Sequence, residues 1–299
     1  MNKTKKNIRL KNKKLRGGNK TLTKRNKSKC SPGNNDNNFS CFTKKALINI
    51  INSWNTHNSN NKIKYSRNEK VSELWKKIDD KLKNRCNNEW CWIEQEFMRN
   101  LDVKDLFRPK MPKKWYEHPR EWLTTSDIEN VMKQYEKKYK DFKFIGPVPI
   151  DFDYKPSPGY CIVNELCNIN MKSLYNKGIR KLGVIFNLDP HDQPGSHWVA
   201  LFNDVDKGGV YYFDSYGVEP PNEVKVLMER LTDQGRSLNN RMNKYVNNVR
   251  HQFKNSECGV YSMNFIVNLL QGKSFDDVTK NIVKDDDMLQ KRNDFYIKH

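Results

Sequence analysis

Four residues hold the chemistry this sequence can do: His197, Asp214, Gln252 and Cys258. Cys258 is followed by Gly259 and then by Val260, Met263, Ile266, Val267 and Leu270 at helical spacing, so the cysteine stands where a helix begins. A helix start presents unpaired N–H groups and the positive end of the dipole, and both favour thiolate over thiol. His197 and Asp214 end two short apolar segments, 197–202 and 210–214, that read as a hairpin. With the turn near Asp206 and Lys207, Asp214 faces Val199 and lies one diagonal step from His197, close enough for the carboxylate to orient the imidazole. The chemistry is hydrolytic acyl transfer: Cys258 attacks a carbonyl, His197 protonates the leaving amine and later activates water, and Gln252 with the Cys258 N–H steadies the oxyanion. Each of these residues taken singly is an ordinary core or strand-end residue; only the set implies a site.

The flanking sequence supplies the elements that must position this set. Phe42, Ala46, Leu47, Ile50, Ile51 and Trp54 predict one helix, Val71, Leu74, Trp75, Ile78 and Leu82 a second, and Ile93, Phe97, Met98 and Leu101 a third. Pro109, Pro112 and Pro119 then break the pattern. A further helix is expected from Ser126, capped by Ser126 with Glu129 and running to Phe142, followed by strands at 181–186, 197–202 and 210–214. Strands flanked by helices without regular alternation predict an α+β fold with a mainly antiparallel central sheet and an N-terminal helical extension. The boundaries follow: a disordered basic arm over 1–40, a helical region over 41–110 and a catalytic domain over 111–299.

Charge is concentrated at the start. The chain has 299 residues and a net charge of +20, and its first 30 residues contain thirteen Lys or Arg and no acid. Such an arm is expected to be solvated and suited to nucleic acid or another anionic surface. It includes Leu15-Arg16-Gly17-Gly18, which is similar to the tail of ubiquitin and marks a candidate self-cleavage site. No secretory signal and no membrane-spanning run is present, so a soluble protein is expected. The seven cysteines, odd in number and irregularly spaced, read as reduced thiols; Cys86 and Cys91 make a poor zinc motif, and no metal or cofactor is expected.

The order His, Asp, Gln, Cys, with His197-Trp198, Asp214 seventeen residues on, and Gln252 six residues before Cys258-Gly259, resembles the cysteine protease clan of SUMO-processing and adenovirus-type proteases. The resemblance covers roughly residues 115 to 299. It implies that Trp122, in Trp122-Leu123, and Trp198 bind the substrate by closing over a Gly-Gly tail, although Thr124-Thr125 depart from the Asn-Asp of that motif. The basic arm and extra helices are most similar to thiol proteases of giant DNA viruses of the mimivirus type. That likeness implies processing of structural precursors after Gly-Gly, in the virion and the host cytoplasm, with the nucleus also open. Removal of SUMO or ubiquitin-like modifiers is the alternative substrate class. Acetyl transfer would need an acetyl-CoA site that the sequence around Cys258 does not announce, and a catalytically inactive nucleic-acid-binding virion protein fits the intact triad poorly.

Overall fold

The computed structural model of the chain describes residues 29–34, 40–238 and 241–298. Most of the expected arm, with Gly17-Gly18, lies outside the described residues. Its last stretch does not: Cys30, Ser31 and Ser40 are buried, and the Ser31 N–H donates to the Leu106 carbonyl at 3.0 Å.

Helix α1 (Lys44–His57) starts where the Thr43 side chain accepts from the Ala46 N–H. It buries Leu47, Ile50 and Ile51 against Leu74, Ile78 and Leu82 of α2 (Val71–Leu82). The expected third helix is shorter: α3 spans Glu89–Ile93, and after an extended Gln95 a single 3-10 turn, Glu96–Met98, carries Phe97 and Met98 inward. Phe42, Trp92 and Phe107 close this core, with Phe42 centroids 5.8 Å from Trp92 and 5.2 Å from Phe107. Glu89 is buried beneath them; burial raises its pKa, while hydrogen bonds from Ser40, the Trp75 indole and the Cys41 N–H hold it down.

The rest of the chain builds a five-stranded sheet in the order β1 (Phe142–Pro149), β2 (Lys181–Asn187), β3 (Trp198–Asp204), β4 (Gly209–Phe213), β5 (Asn243–Val246). Helices α4 (Lys114–Glu117) and α5 (Thr125–Lys138) precede it, α6 (Asn164–Cys167) and α7 (Met171–Asn176) link β1 to β2, and α8 (Asn222–Arg236) links β4 to β5. Helices α9 (Cys258–Leu270), α10 (Phe275–Lys280) and α11 (Asp285–Phe295) follow. The class is α+β as expected, but the sheet is mixed: β2–β3 and β3–β4 are antiparallel, whereas β1–β2 and β4–β5 are parallel. Parallel neighbours require crossovers, and the linking helices α6, α7 and α8 supply them.

Alternation along β3 divides two cores. Trp198, Ala200 and Phe202 face α5, α9 and α11, while Val199 and Leu201 face α8. The cap of α5 sits two residues earlier than expected: Thr124 accepts from the Asp127 N–H, and Asp127 accepts from the Thr124 N–H at 2.8 Å, a capping box of the predicted spacing with Asp in place of Glu. The cysteines also differ from expectation. Cys30–Cys41, Cys86–Cys91 and Cys161–Cys167 are disulfide-bonded, and Cys258 alone is free. Sequence separations of 11, 5 and 6 let local turns bring each pair together, which irregular spacing in the sequence conceals. Among the described residues, no helix is long and apolar enough to cross a membrane and no group of three His, Cys, Asp or Glu is placed to hold a metal ion.

Phe265, at the centre of α9, stacks on Phe213 at 4.9 Å and meets Phe275 edge-on at 6.2 Å. Phe265→Ala is expected to lower stability by about 3–5 kcal/mol through transfer and cavity costs, read from the midpoint of urea unfolding.

Candidate active site

The hairpin register is the predicted one: Ala200 pairs with Phe213, so Val199 and Asp214 are the next opposed positions. From just before β3, His197 reaches across and its Nε2 lies 2.7 Å from Asp214 Oδ1. A carboxylate accepts only, so Nε2 bears the proton and donates, leaving Nδ1 free to face Cys258, whose sulfur is near enough to act on the ring's pKa. Asp214 is buried and oriented in turn. Its Oδ1 also accepts from the Tyr216 N–H at 2.8 Å, and its carbonyl accepts from Asn247 Nδ2 at 2.9 Å. Burial pulls the His197 pKa down, but the hydrogen bonds to Asp214 and Cys258 and their negative charge outweigh it and raise the pKa to about 9. Tyr216 covers the imidazole, with ring centroids 4.6 Å apart and planes 21° from parallel.

Cys258 is the first residue of α9, and the preceding Glu257 makes no side-chain cap to the helix, so the first-turn N–H groups stay open beside the sulfur. Gln252 is fully buried with its amide direction fixed: Oε1 accepts from the Ser215 hydroxyl at 2.7 Å, and Nε2 donates to the Lys254 carbonyl at 2.6 Å. The other amide hydrogen is donated to the Tyr216 hydroxyl at 3.4 Å, the longer of the two bonds and the one a stronger acceptor would displace. The structure thus brings together His197, Asp214, Gln252 and Cys258. His251, although it is the neighbour of Gln252 in sequence, is set apart. Its Nε2 lies 2.9 Å from the Thr279 carbonyl, its ring meets Phe213 edge-on, and burial lowers its pKa against that hydrogen bond.

Of the two tryptophans, Trp198 is 6% exposed and Trp122 is 41% exposed. The Trp198 indole donates to the Leu123 carbonyl at 3.1 Å. A Cβ on Gly259 would lie 3.1 Å from Leu123 Cδ1 and 3.2 Å from Trp198 Cδ1, so Leu123 and Trp198 rest directly on the first turn of the nucleophile's helix. Trp122 is no core anchor; it projects at the edge of this wall.

The residues that hold the loop before Cys258 escape a reading of the sequence. Asp285 accepts from the Phe253 N–H at 3.0 Å and the Lys254 N–H at 3.1 Å. Arg292 donates through Nε to Glu257 Oε2 at 3.0 Å and through an Nη to the Glu121 carbonyl at 2.6 Å, with its guanidinium 4.6 Å from the Trp115 ring centre. Glu257 and Arg292 are both buried, so this ion pair welds α11 to the residue next to the nucleophile. Arg292→Leu strands the Glu257 carboxylate and is expected to cost about 3–5 kcal/mol of stability. Glu257→Met with Arg292→Leu is expected to recover most of that stability in urea unfolding while kcat stays at least about tenfold low, because the loop is no longer pinned.

Comparison with known proteins identifies the family. The Ulp1 protease family, C-terminal catalytic domain, matches residues 160–298. The chain is 35% identical over 290 residues to a protein of Acanthamoeba polyphaga mimivirus that carries a thiol-protease name; the match covers 89% of this chain and 92% of that protein. It is 33% identical over 240 residues to a cysteine protease of African swine fever virus (strain Badajoz 1971 Vero-adapted), covering 75% of this chain and 88% of the relative. The crystal structure of an African swine fever virus protease superposes with a TM-score of 0.64 at 21% identity, over 91% of this chain and 96% of that one, and so shares the fold. With these relatives and this fold, the chain belongs to the Ulp1-type family of cysteine proteases.

Proposed function

We propose that this cysteine protease cleaves on the C-terminal side of Gly-Gly, with Cys258 as nucleophile, His197 as acid and base, Asp214 as its orienting carboxylate and Gln252 as oxyanion donor. The observation that carries the glycine preference is the enclosure of the nucleophile. Cys258 is 3% exposed, and Leu123 and Trp198 lie against the helix turn that bears it. An acyl residue with a Cβ must push into that wall, whereas glycine does not.

The Cys258 sulfur adds to the glycine carbonyl carbon, and charge passes to its oxygen, beside the open N–H groups of α9 and the Gln252 amide. As the C–N bond breaks, the proton on the His197 Nδ1 goes to the leaving amine. His197 then takes a proton from water, the hydroxide attacks the thioester, and the acid product leaves with Cys258 restored. The viral relatives support precursor processing in the virion and host cytoplasm as the physiological task, and the arm's thirteen basic residues suit it to hold the enzyme on nucleic acid.

In a peptide panel, replacing the glycine before the bond by alanine is expected to lower kcat/KM by about a hundredfold. Equal cleavage of both sinks the glycine reading. Cys258→Ala is expected to remove at least about ten-thousandfold of the activity. A ubiquitin-like C-terminal vinyl-sulfone probe separates the substrate classes, since labelling of Cys258 by it favours modifier removal over precursor processing. The reactive state pairs thiolate with protonated His197, so kcat/KM is expected to fall as pH rises through about 9, where the imidazolium is lost. Asp214→Asn removes a contact that raises this pKa, so the alkaline limb of the pH profile moves to lower pH.

A further inference from the structure

We propose that Tyr216, Arg250 and Phe253 form a subsite for an acidic side chain on the leaving-group side of the scissile bond. This rests on His197 being the acid that protonates the departing amine. The leaving peptide must then run past the imidazole, and what lies beyond it is a continuous stack. Tyr216 covers His197 at 4.6 Å, the Arg250 guanidinium lies 5.4 Å from the Tyr216 ring centre, and it also lies over the Phe253 ring at 4.8 Å.

Arg250 is an exposed cation held in place but not neutralised. Its Nε donates to the Gln252 carbonyl at 2.8 Å, and neither Nη takes part in a hydrogen bond or ion pair with any described residue. The nearby carboxylates are engaged elsewhere. Asp285 accepts from two backbone N–H groups and the Tyr261 hydroxyl, and Asp286 pairs with Lys254 and Arg120. Two aromatic faces fix the guanidinium plane and shed its water, leaving the Nη pair as a fork suited to a carboxylate. Phe253 is 67% exposed, an apolar shelf for the aliphatic part of the incoming side chain. The guanidinium is at most about 10 Å from the imidazole, which extended chain covers in about three residues. The acidic residue therefore falls at the second or third position after the bond.

Cleavage-site profiling of a proteome-derived peptide library reads both sides of the bond in one experiment. The wild type is expected to enrich Asp and Glu over Lys and Arg about fivefold at the second or third position after the cut. Arg250→Gln should bring that ratio to about one, and Arg250→Glu should reverse it. A variant that only loosens the loop slows all substrates together and leaves the ratio intact. Absence of acidic enrichment in the wild type, or its persistence in Arg250→Gln, overturns the subsite. The residues before the cut are scored separately: acidic enrichment without glycine overturns the acyl-side reading and leaves this one standing.

Discussion

The contact between the first turn of α9 and the start of β3 is the constraint on which the site depends. Cys258 lies on the helix and His197 at the strand end, so their meeting is set by how closely helix and sheet approach. Gly259 makes that approach possible, since a side chain there would press on Leu123 and Trp198. Three residues further along, the Ser262 hydroxyl donates to the Trp198 carbonyl at 3.1 Å and fixes the helix along the strand. The rest of α9 is apolar except for one face, where Asn264 and Asn268 are half-buried; Val260, Met263, Phe265 and Ile266 are all buried, as a helix covered by the sheet on one side and by α5 and α11 on others must be. An apolar helix seated by dispersion alone can slide; the serine and the glycine select one position.

Glu257 and Arg292 do for the loop what Ser262 does for the helix. Their burial is costly, and replacing such a pair by apolar residues is often neutral or stabilising, so net stability does not account for it. What the pair supplies is a steep penalty for every other position of the loop, because any shift leaves a charge without its partner in an apolar surround. The bidentate geometry, the Glu121 carbonyl and the Trp115 face leave little freedom. Cys258 is the next residue, so precision at Glu257 passes directly to it.

The sequence foretold the parts that obey local periodicity. The spacing of apolar residues in α1, α2 and α9, and the hairpin parity that sets Asp214 near His197, follow from rules that act over a few residues. It did not foretell β1, where Phe142 reads as the end of the preceding helix, nor β5, whose four residues are largely exposed and carry no alternating pattern. Both are outer strands paired in parallel, and their place is decided by crossovers rather than by their own composition. The cap of α5 was legible in kind but not in position, since Thr124-Thr125-Ser126 offers three hydroxyls in a row and tertiary packing of Leu123 chooses the first. Tyr216, Asp285 and Arg292 were invisible because their partners lie 19 to 35 residues away and no motif spacing links them.

The turn after β4 shows how few residues couple the separate tasks of the site. Asp214 orients the His197 ring, Ser215 orients the Gln252 amide, and Tyr216 both covers the imidazole and backs the Arg250 guanidinium. Gly217 then takes φ +73°, and a Cβ there would lie 2.9 Å from the Val249 carbonyl carbon and 3.0 Å from the Arg250 nitrogen. Only glycine lets this turn pack so tightly against the segment that leads to Gln252. The backbone closes the same seam, for the Ser215 carbonyl accepts from both the His251 and Gln252 N–H groups at 2.8 Å. The Asp214 carboxylate, the Gln252 amide and the Arg250 guanidinium are thereby mounted on two stretches of chain that pack as one unit. A shift of the Arg250 segment would therefore strain the same unit whose Asp214 carboxylate orients the His197 ring.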